Sequence, residues 1–356
     1  MITDSSAYND FLGQLSSQSV IALDTEADSL HCYFEKLCLI QAGWPGNLYL
    51  IDPLVGLPLT EFFSALKGKR LLFHDADYDL RLLRRSGDFP DANIFDTMLA
   101  ARLCGESQLG LAALVEKYFN IRLSKASRKA NWGQRPLSSQ MLEYALNDIR
   151  YLPDLAEILK EKLEELERLE WFQQSCNRMV RATRDIRVRD EENLWRIAGH
   201  KLLSQQAQAI LRAIWQWRDE EARDWDKPPF YVISNYEMLE IAEKASQGKK
   251  FQRPRVSAER AERFEKILQG AMLLTEKEWP VAIPSVRVRA TKQEVDYFKK
   301  LKDVRDRVAN ELNLDPSIVA SKSGLESAVS QKTTSLLLPW QCELLGLNVE
   351  SVKVKN

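Results

Sequence analysis

Residues 19–26 have the sequence SVIALDTE, in which a short apolar run ends in two carboxylates. The aliphatic and β-branched residues of this run predict a buried strand. Side chains alternate along a strand, so Asp24 and Glu26 point to one face at its end. Two hard oxygen donors side by side suit Mg²⁺ or Mn²⁺ better than Zn²⁺. Taken alone, however, such a pair is more often a solvated strand end than a metal site.

Outward from this strand, the chain predicts an α/β domain. Three further strand candidates follow, with the sequences KLCLIQAG, NLYLIDP and RLLFH. Helical periodicity then dominates over residues 76–85, 96–103, 109–119 and 138–148, with Asp96 and Ser138 as N-cap candidates. Strands in meander order, followed by strands that alternate with helices, predict a mixed sheet flanked by helices.

The rest of the chain is predicted to be helical. Residues 155–185 have the charge pattern of one long helix, which would connect domains. Helical periodicity returns over 191–272 and 293–346, and the proline-containing segment TEKEWPVAIPSVRVRAT between them is predicted to be a linker. Both helical parts contain an Arg-Asp pair followed by a proline and a small-polar aliphatic run, which indicates a diverged duplication.

Length, charge and cysteine content restrict the class of protein. A chain of 356 residues suggests two or three domains. Its net charge of −1 gives no general attraction for phosphates, so local basic patches or metal ions would have to attract a nucleic acid. The sequence has no secretory signal and no apolar run long enough for a membrane span. Five scattered cysteines without C-x-x-C spacing argue against a disulfide framework and a zinc site, and predict a cytoplasmic protein.

Two further motifs contain acidic residues. Asp79 lies in LLFHDADYDLRLLRR, where a short strand leads into an amphipathic helix. An acid near a helix N-terminus is also favoured by the helix dipole, which is the simpler explanation. Tyr144 and Asp148 lie in MLEYALNDIRYL, and their i, i+4 spacing puts them on one helical face. They could form a core hydrogen bond, or a metal ligand beside a phenol that positions water.

The order of these motifs resembles the DEDD exonuclease superfamily, in the branch with a tyrosine in its third motif. D-x-E is followed by H-x4-D from His74 to Asp79 and by Y-x3-D from Tyr144 to Asp148. The segment SRKANWGQRPLSSQMLEYALNDIRYL, together with LIQAG and IDPL, is similar to ribonuclease D over about residues 18–160. The later stretch WQWRDEEARDWDKPPFYVISN resembles an HRDC domain, a small helical bundle that engages nucleic acid.

The resemblance implies both a fold and a domain order. The fold is a ribonuclease H-like α/β exonuclease domain followed by two small all-α HRDC-like domains, the second of them diverged. The expected boundaries are the exonuclease domain at 1–170, a helical connector at 171–190, the first HRDC-like domain at 191–274, a linker at 275–292 and the second HRDC-like domain at 293–356.

The implied activity is 3′–5′ hydrolysis of RNA ends with release of nucleoside 5′-monophosphates. Two ions, Mg²⁺ or Mn²⁺, would lie roughly 4 Å apart around the scissile phosphate. Asp24 would be their shared ligand, Glu26 and Asp148 would complete one ion site, and Asp79 would serve the other. Tyr144 would hydrogen-bond the attacking water. The expected partners are RNA 3′ ends such as tRNA precursors, with no membrane and no obligate protein partner.

Candidate substrate contacts come from a basic loop before the third motif and from the second motif. The loop could contact the phosphate backbone or simply be solvated. His74 is another candidate, although a structural hydrogen bond at its strand end is the favoured interpretation. The complete set of candidate contacts is His74, Lys125, Arg128, Lys129 and Arg135.

One position departs from the ribonuclease D pattern, and other functions stay open. Ala27 stands where a large aromatic residue usually follows the first motif, and Tyr33 and Phe34 are the nearby candidates to replace its stacking contact with a base. A DNA-directed exonuclease is the main alternative function. A non-catalytic binding module and a phosphoesterase for small nucleotides are further alternatives.

Overall fold

The computed structural model describes residues 1–124, 126–184, 190, 192–281 and 290–348. The described residues form two compact units. The first unit comprises residues 1–26, 37–124, 126–184 and 290–348. The second comprises residues 27–36, 190 and 192–281. The domain boundaries expected from the sequence stay predictions.

A mixed sheet of five strands is the frame of the first unit. The strands are β1 (Val20–Ala27), β2 (Leu37–Trp44), β3 (Asn47–Ile51), β4 (Arg70–Phe73) and β5 (Asn93–Asp96). Their order is β3-β2-β1-β4-β5, so the strand that carries Asp24 and Glu26 is central. β4 runs parallel to β1 and β5, whereas β2 and β3 are antiparallel. This sheet confirms the predicted fold class.

Helices pack around this sheet. Four of them confirm the ranges predicted from periodicity to within two residues, and α1 and α2 are additional. Ser138 and Asp96 cap α6 and α4 as expected, each accepting hydrogen bonds from backbone N–H groups in the first turn. The first six helices are α1 (Ser5–Ser16), α2 (Leu59–Ala65), α3 (Asp77–Arg85), α4 (Thr97–Leu103), α5 (Leu111–Phe119) and α6 (Ser139–Arg150).

The prediction of a single long helix over residues 155–185 is wrong. The segment forms two helices, α7 (Leu152–Glu165) and α8 (Leu169–Ala182). Between them Glu167 adopts a left-handed conformation with φ of +55°. The backbone N–H of Arg168 donates to the Leu163 carbonyl at 2.8 Å, a C-terminal capping bond that ends α7. Charge periodicity could not reveal this break because every residue around it is a good helix former.

The helix α8 belongs to the core of the first unit. The Phe172 ring packs against Phe95 of β5 with 4.6 Å between ring centroids, and Cys176 is buried beside it. On another side, Trp171 stacks on Trp340 at 4.8 Å and 11°. The predicted connector over 171–190 therefore begins inside a packed helix, and its residues 185–189 lie outside the described part of the chain.

The remaining described residues are mainly helical, as predicted. The predicted linker over 275–292 falls largely outside the described residues, since 282–289 are not described. Within the described part of the chain, none of the helices has the length and apolarity needed to cross a bilayer. In the second unit the helices are α9 (Gln205–Trp225), α10 (Pro229–Val232), α11 (Asn235–Ser246) and α12 (Ala258–Met272). The C-terminal part of the first unit contains α13 (Lys292–Glu311), α14 (Pro316–Val319), α15 (Lys322–Glu326) and α16 (Pro339–Leu344).

The two helical parts share a local pattern. In each, a long helix is followed by a helix of four residues that begins at a proline, α9 with α10 and α13 with α14. The short helices coincide with the proline-containing runs that indicated a duplication in the sequence. The duplication itself stays a prediction.

Candidate active site

Two carboxylates of the central strand and one from a helix distant in sequence meet in the first unit. Asp24 and Glu26 lie two residues apart on β1, and Asp148 lies on α6. One oxygen from each carboxylate lies within 4.8 Å of the others. All three side chains are partly buried. The structure therefore brings together three of the four carboxylates that the sequence selected.

The fourth carboxylate, Asp79, lies in the first turn of α3 and is 5% exposed. The Thr25 hydroxyl donates a hydrogen bond of 2.5 Å to its Oδ1. Asp79 is close enough for its charge to raise the pKa values of Asp24 and Glu26. Asp79 thus belongs electrostatically to the cluster, although its oxygens lie outside the 4.8 Å group.

A turn that leads into α3 places Asp79. The Asp96 carboxylate accepts the backbone N–H groups of Asp75 at 3.1 Å and Ala76 at 2.9 Å. Asp75 has φ of +67°, so this contact holds a non-glycine residue in a left-handed conformation. Asp96 also caps α4. The sequence identified only that capping role, because the second set of contacts depends on the pairing of β4 with β5.

Burial raises the pKa values of all four carboxyl groups, and repulsion from other members of the cluster adds to the rise for Asp24, Glu26 and Asp148. Burial is the largest cause in each case. It raises the pKa of Asp79 and of Asp148 to about 7. The pKa of Glu26 rises to about 9, and the pKa of Asp24 rises well above its usual range. An all-oxygen set of carboxylates with excess negative charge fits hard divalent cations such as Mg²⁺ or Mn²⁺.

Tyr144 lies beside this cluster, one helical turn before Asp148. Its hydroxyl is close enough to the Asp148 carboxylate to lower the pKa of that group, which partly offsets the rise caused by burial. Burial raises the pKa of the Tyr144 phenol itself, so the hydroxyl keeps its proton at neutral pH. The Trp132 indole packs against the Tyr144 ring with 6.1 Å between centroids. Tyr144 is therefore a fixed hydrogen-bonding group and not a base.

Arg135, predicted as a substrate contact, has a structural role. All five of its N–H groups donate within the protein. Two of them bind Asp52, which is 1% exposed, at 2.6 and 2.7 Å. The other three donate at 2.7, 2.8 and 2.7 Å to the carbonyls of Trp132, Gln134 and Cys38. No donor is left for a phosphate, so Arg135 fastens the loop before α6 to the sheet.

We expect Arg135→Met to lower the free energy of unfolding by about 3–5 kcal/mol, because it leaves the Asp52 carboxylate buried and unpaired. Denaturant titration of the metal-free protein measures this change. Arg122→Met is the matched control, since Arg122 is 88% exposed and pairs with Glu116 at the surface, where an ion pair contributes about 0–1 kcal/mol. Equal effects of the two substitutions would contradict the structural role.

The other candidate substrate contacts have different surroundings. His74 is hydrogen-bonded through Nδ1 to the Thr97 hydroxyl at 2.9 Å, and burial lowers its pKa, which agrees with the structural interpretation. Arg128 and Lys129 are exposed. The Arg128 side chain is close enough to Tyr144 for its positive charge to lower the pKa of the phenol. Lys125 lies outside the described residues.

Ala27 and the aromatic residues near it lie at the start of the second unit, within 27–36. The Tyr33 hydroxyl donates to Asp219 at 2.8 Å, so Tyr33 is used in packing against α9. Phe34 is 58% exposed. Of the two residues considered as replacements for the missing aromatic, only Phe34 therefore presents most of its ring to solvent.

Sequence reasoning missed two residues of the site. Thr25 binds Asp79 across 54 positions of sequence, and Gln41 of β2 donates through Nε2 to Asp24 Oδ2 at 3.3 Å. Neither contact follows from local spacing. The only signal for Gln41 was a polar residue in the centre of the otherwise apolar strand LCLIQAGW.

Comparison with family models identifies the two kinds of domain. Residues 1–164 match the model described as 3′–5′ exonuclease, and residues 207–251 match the HRDC domain. The first match contains all three acidic motifs. The second lies within the helical second unit.

Relatives and solved structures extend the similarity over most of the chain. Ribonuclease D of Desulfotalea psychrophila is 28% identical over 338 residues, which cover 91% of this chain and 90% of that protein. A protein structure from Bifidobacterium adolescentis matches with TM-score 0.79 and 23% identity over 97% of this chain and 94% of its own.

Escherichia coli RNase D, described as an exoribonuclease involved in structured RNA processing, matches with TM-score 0.66 and 24% identity. The match covers 93% of this chain and 90% of that one. The structural matches support the fold, and the sequence matches support the family. The chain therefore contains a 3′–5′ exonuclease domain followed by an HRDC domain, and it is similar to ribonuclease D over most of its length.

Proposed function

We propose that this protein is a metal-dependent exoribonuclease that removes nucleotides from RNA 3′ ends as nucleoside 5′-monophosphates. The proposal rests chiefly on the cluster of Asp24, Glu26 and Asp148, whose oxygens lie within 4.8 Å of one another. Asp79 adds a fourth negative charge to this cluster. Such a concentration of buried carboxylates destabilises the protein unless cations compensate it.

The four carboxylates would hold two divalent ions. Asp24 would be shared, Glu26 and Asp148 would complete one ion site, and Asp79 would serve the second. When bound, the ions would activate a water molecule and neutralise charge on the scissile phosphate. Thr25 would fix the Asp79 carboxylate through its hydrogen bond. The protein thereby supplies ligands that are already in position.

Tyr144 would orient the attacking water. Its hydroxyl is protonated at neutral pH and lies beside Asp148, so it is able both to donate and to accept a hydrogen bond at the edge of the cluster. Fixing the water in line with the phosphorus atom removes part of the entropic barrier.

We expect Tyr144→Phe to lower the turnover rate by about 10²-fold, a typical contribution of one positioned group, while divalent-ion affinity changes little. Single-turnover digestion of labelled RNA measures the rate, and calorimetric titration with Mn²⁺ measures the affinity. Tyr118→Phe is a matched control, because Tyr118 is also a half-buried tyrosine close to a carboxylate, that of Glu106, to which its hydroxyl donates. A loss of ion affinity equal to the loss of rate would show that Tyr144 has only a structural role.

RNA is the proposed substrate because the matched curated relative is a ribonuclease D. The exposed Arg128 near Tyr144 is the proposed phosphate contact, since a guanidinium recognises phosphate oxygens through paired N–H groups. Structured transcripts with 3′ extensions, such as tRNA precursors, are the proposed natural substrates.

Digestion of one labelled sequence prepared as RNA and as DNA tests this proposal. We expect faster degradation of the RNA, shortening from the 3′ end, and nucleoside 5′-monophosphates as products, with activity lost in EDTA. Equal rates of degradation of the RNA and the DNA substrate would favour the DNA-directed alternative. Binding without cleavage in Mg²⁺ or Mn²⁺ would support the non-catalytic binding module instead.

The cytoplasm is the proposed compartment. Within the described part of the chain, which includes all five cysteines, no disulfide is formed, and four of the thiols are buried. Buried unpaired thiols are typical of proteins in a reducing environment.

A further inference from the structure

Gln41 is a polar residue inside the apolar core. It lies in the middle of β2, next to the central strand β1, and its side chain is 0% exposed. Every other residue of β2 is apolar or glycine and is also buried. A buried amide must be hydrogen-bonded, or its desolvation opposes folding.

The partners of Gln41 differ from those of a structural glutamine. Its Nε2 donates to Asp24 Oδ2 at 3.3 Å, and its Oε1 has no hydrogen-bond partner among the described residues. The carboxylate determines this orientation of the amide, because the opposite one would place oxygen against oxygen. In contrast, both polar atoms of the buried Gln341 amide are hydrogen-bonded to backbone groups. Its Nε2 donates to the Ile318 carbonyl, and its Oε1 accepts from the Leu338 N–H.

We propose that Gln41 is a positioning residue for Asp24, retained for the metal site and not for the stability of the fold. It occupies one acceptor position on Oδ2 and so fixes the rotation of the carboxylate. The remaining acceptor positions of Asp24 then face the site in one orientation. This inference rests on the proposed function, since it assumes that Asp24 binds cations.

The geometry of the strands makes this role possible. Asp24 is the fifth of the eight residues of β1, and β2 lies next to β1 in the sheet, so a residue of β2 can bind its side chain. A donor on the adjacent strand, 17 positions away in sequence, restricts it without adding charge to an already negative cluster. Groups that orient metal ligands in this way typically change metal affinity or activity by about 10–100-fold when removed.

Gln41→Met tests the proposal, because methionine keeps the length and approximate volume of the side chain and removes the amide. We expect Mn²⁺ affinity, measured by calorimetric titration of the full-length protein, to fall about 10–100-fold. We also expect the lost rate on labelled RNA to be partly recovered at high Mn²⁺. The thermal midpoint of the metal-free protein should change little, because the Gln41 amide oxygen is already unpaired and the substitution removes only one hydrogen bond.

Gln341→Met is the matched control. It removes an equally buried amide from the same unit, so we expect a lower thermal midpoint and unchanged Mn²⁺ affinity. Unchanged Mn²⁺ affinity in Gln41→Met, or a fall in its thermal midpoint as large as in the control, would overturn the positioning role. Failure of the wild-type protein to bind Mn²⁺ would instead contradict the proposed function itself.

Discussion

We expect Asp24→Asn to lower the rate of metal-dependent nucleotide release from RNA 3′ ends by about 10³-fold or more, which corresponds to about 4 kcal/mol of activation free energy. Asparagine keeps the shape of the side chain but removes a charge and one acceptor oxygen. Because Asp24 is the proposed ligand of both ions, one substitution would weaken both ion sites. Single-turnover digestion of a 5′-labelled RNA at saturating Mg²⁺ measures the effect.

Asp77→Asn is the control for this substitution. Asp77 lies on α3 two residues before Asp79, but its side chain is 50% exposed and pairs with Arg81. We expect its rate to stay within a few-fold of the wild type, since an exposed i, i+4 pair contributes only about 0.3–0.5 kcal/mol. Near-wild-type activity of Asp24→Asn would rule out the proposed assignment of the site.

We expect the metal-free protein to lose stability as the pH rises from about 4 to about 9. The folded-state pKa values are raised, to about 7 for Asp79 and Asp148 and to about 9 for Glu26. Below the unfolded-state pKa of about 4, both states are protonated and the stabilising contribution is fully present. It is lost progressively between the unfolded-state pKa and each folded-state pKa, because the unfolded chain ionises in this range while the folded protein keeps the group protonated.

The size of this effect is appreciable. For Asp148, a rise from 3.8 to about 7 corresponds to about 4 kcal/mol on its own. The repulsion is shared among the four groups, so their contributions do not add independently. Divalent ions compensate the negative charge, and the stabilisation that they give should therefore be larger at pH 8 than at pH 5.5.

Thermal unfolding in EDTA and in Mg²⁺ at these two pH values measures the prediction. We expect Asp148→Asn to raise the midpoint of the metal-free protein at pH 8 by several degrees and to reduce the shift caused by Mg²⁺. Asp154→Asn, on the neighbouring helix α7, is the control and should leave both quantities unchanged. A midpoint in EDTA that is the same at pH 5.5 and pH 8 would contradict the electrostatic description of the site.

Sequence patterns predicted the elements that carry strong local signals. Four of the five strands and the helices that hold Asp79 and Asp148 follow from apolar runs and periodicity. The strand β5 was missed because only Ile94 and Phe95 provide an apolar signal, and its pairing with β4 creates the strand. The break at Glu167 was missed because it depends on a capping bond to Leu163 within a charged segment.

The acidic residues of the site were predictable, but their supporting groups were not. The order and spacing of three local motifs, and the resemblance to the DEDD exonucleases that they carry, were enough to select four carboxylates and Tyr144. Thr25, Gln41 and the second role of Asp96 depend on contacts between elements that are distant in sequence. The wrong expectation for Arg135 has the same cause. Its positive charge in a basic loop suggested a phosphate contact, and its partner Asp52 lies 83 positions away in sequence.

Anomalous diffraction from crystals soaked in Mn²⁺ and a nucleoside 5′-monophosphate tests the central claim most directly. Two peaks roughly 4 Å apart are expected. One of them should be ligated by Glu26 and Asp148, the other by Asp79, and both by Asp24. The absence of any peak within ligand distance of Asp24 would contradict the proposal that these carboxylates form the metal site of the nuclease.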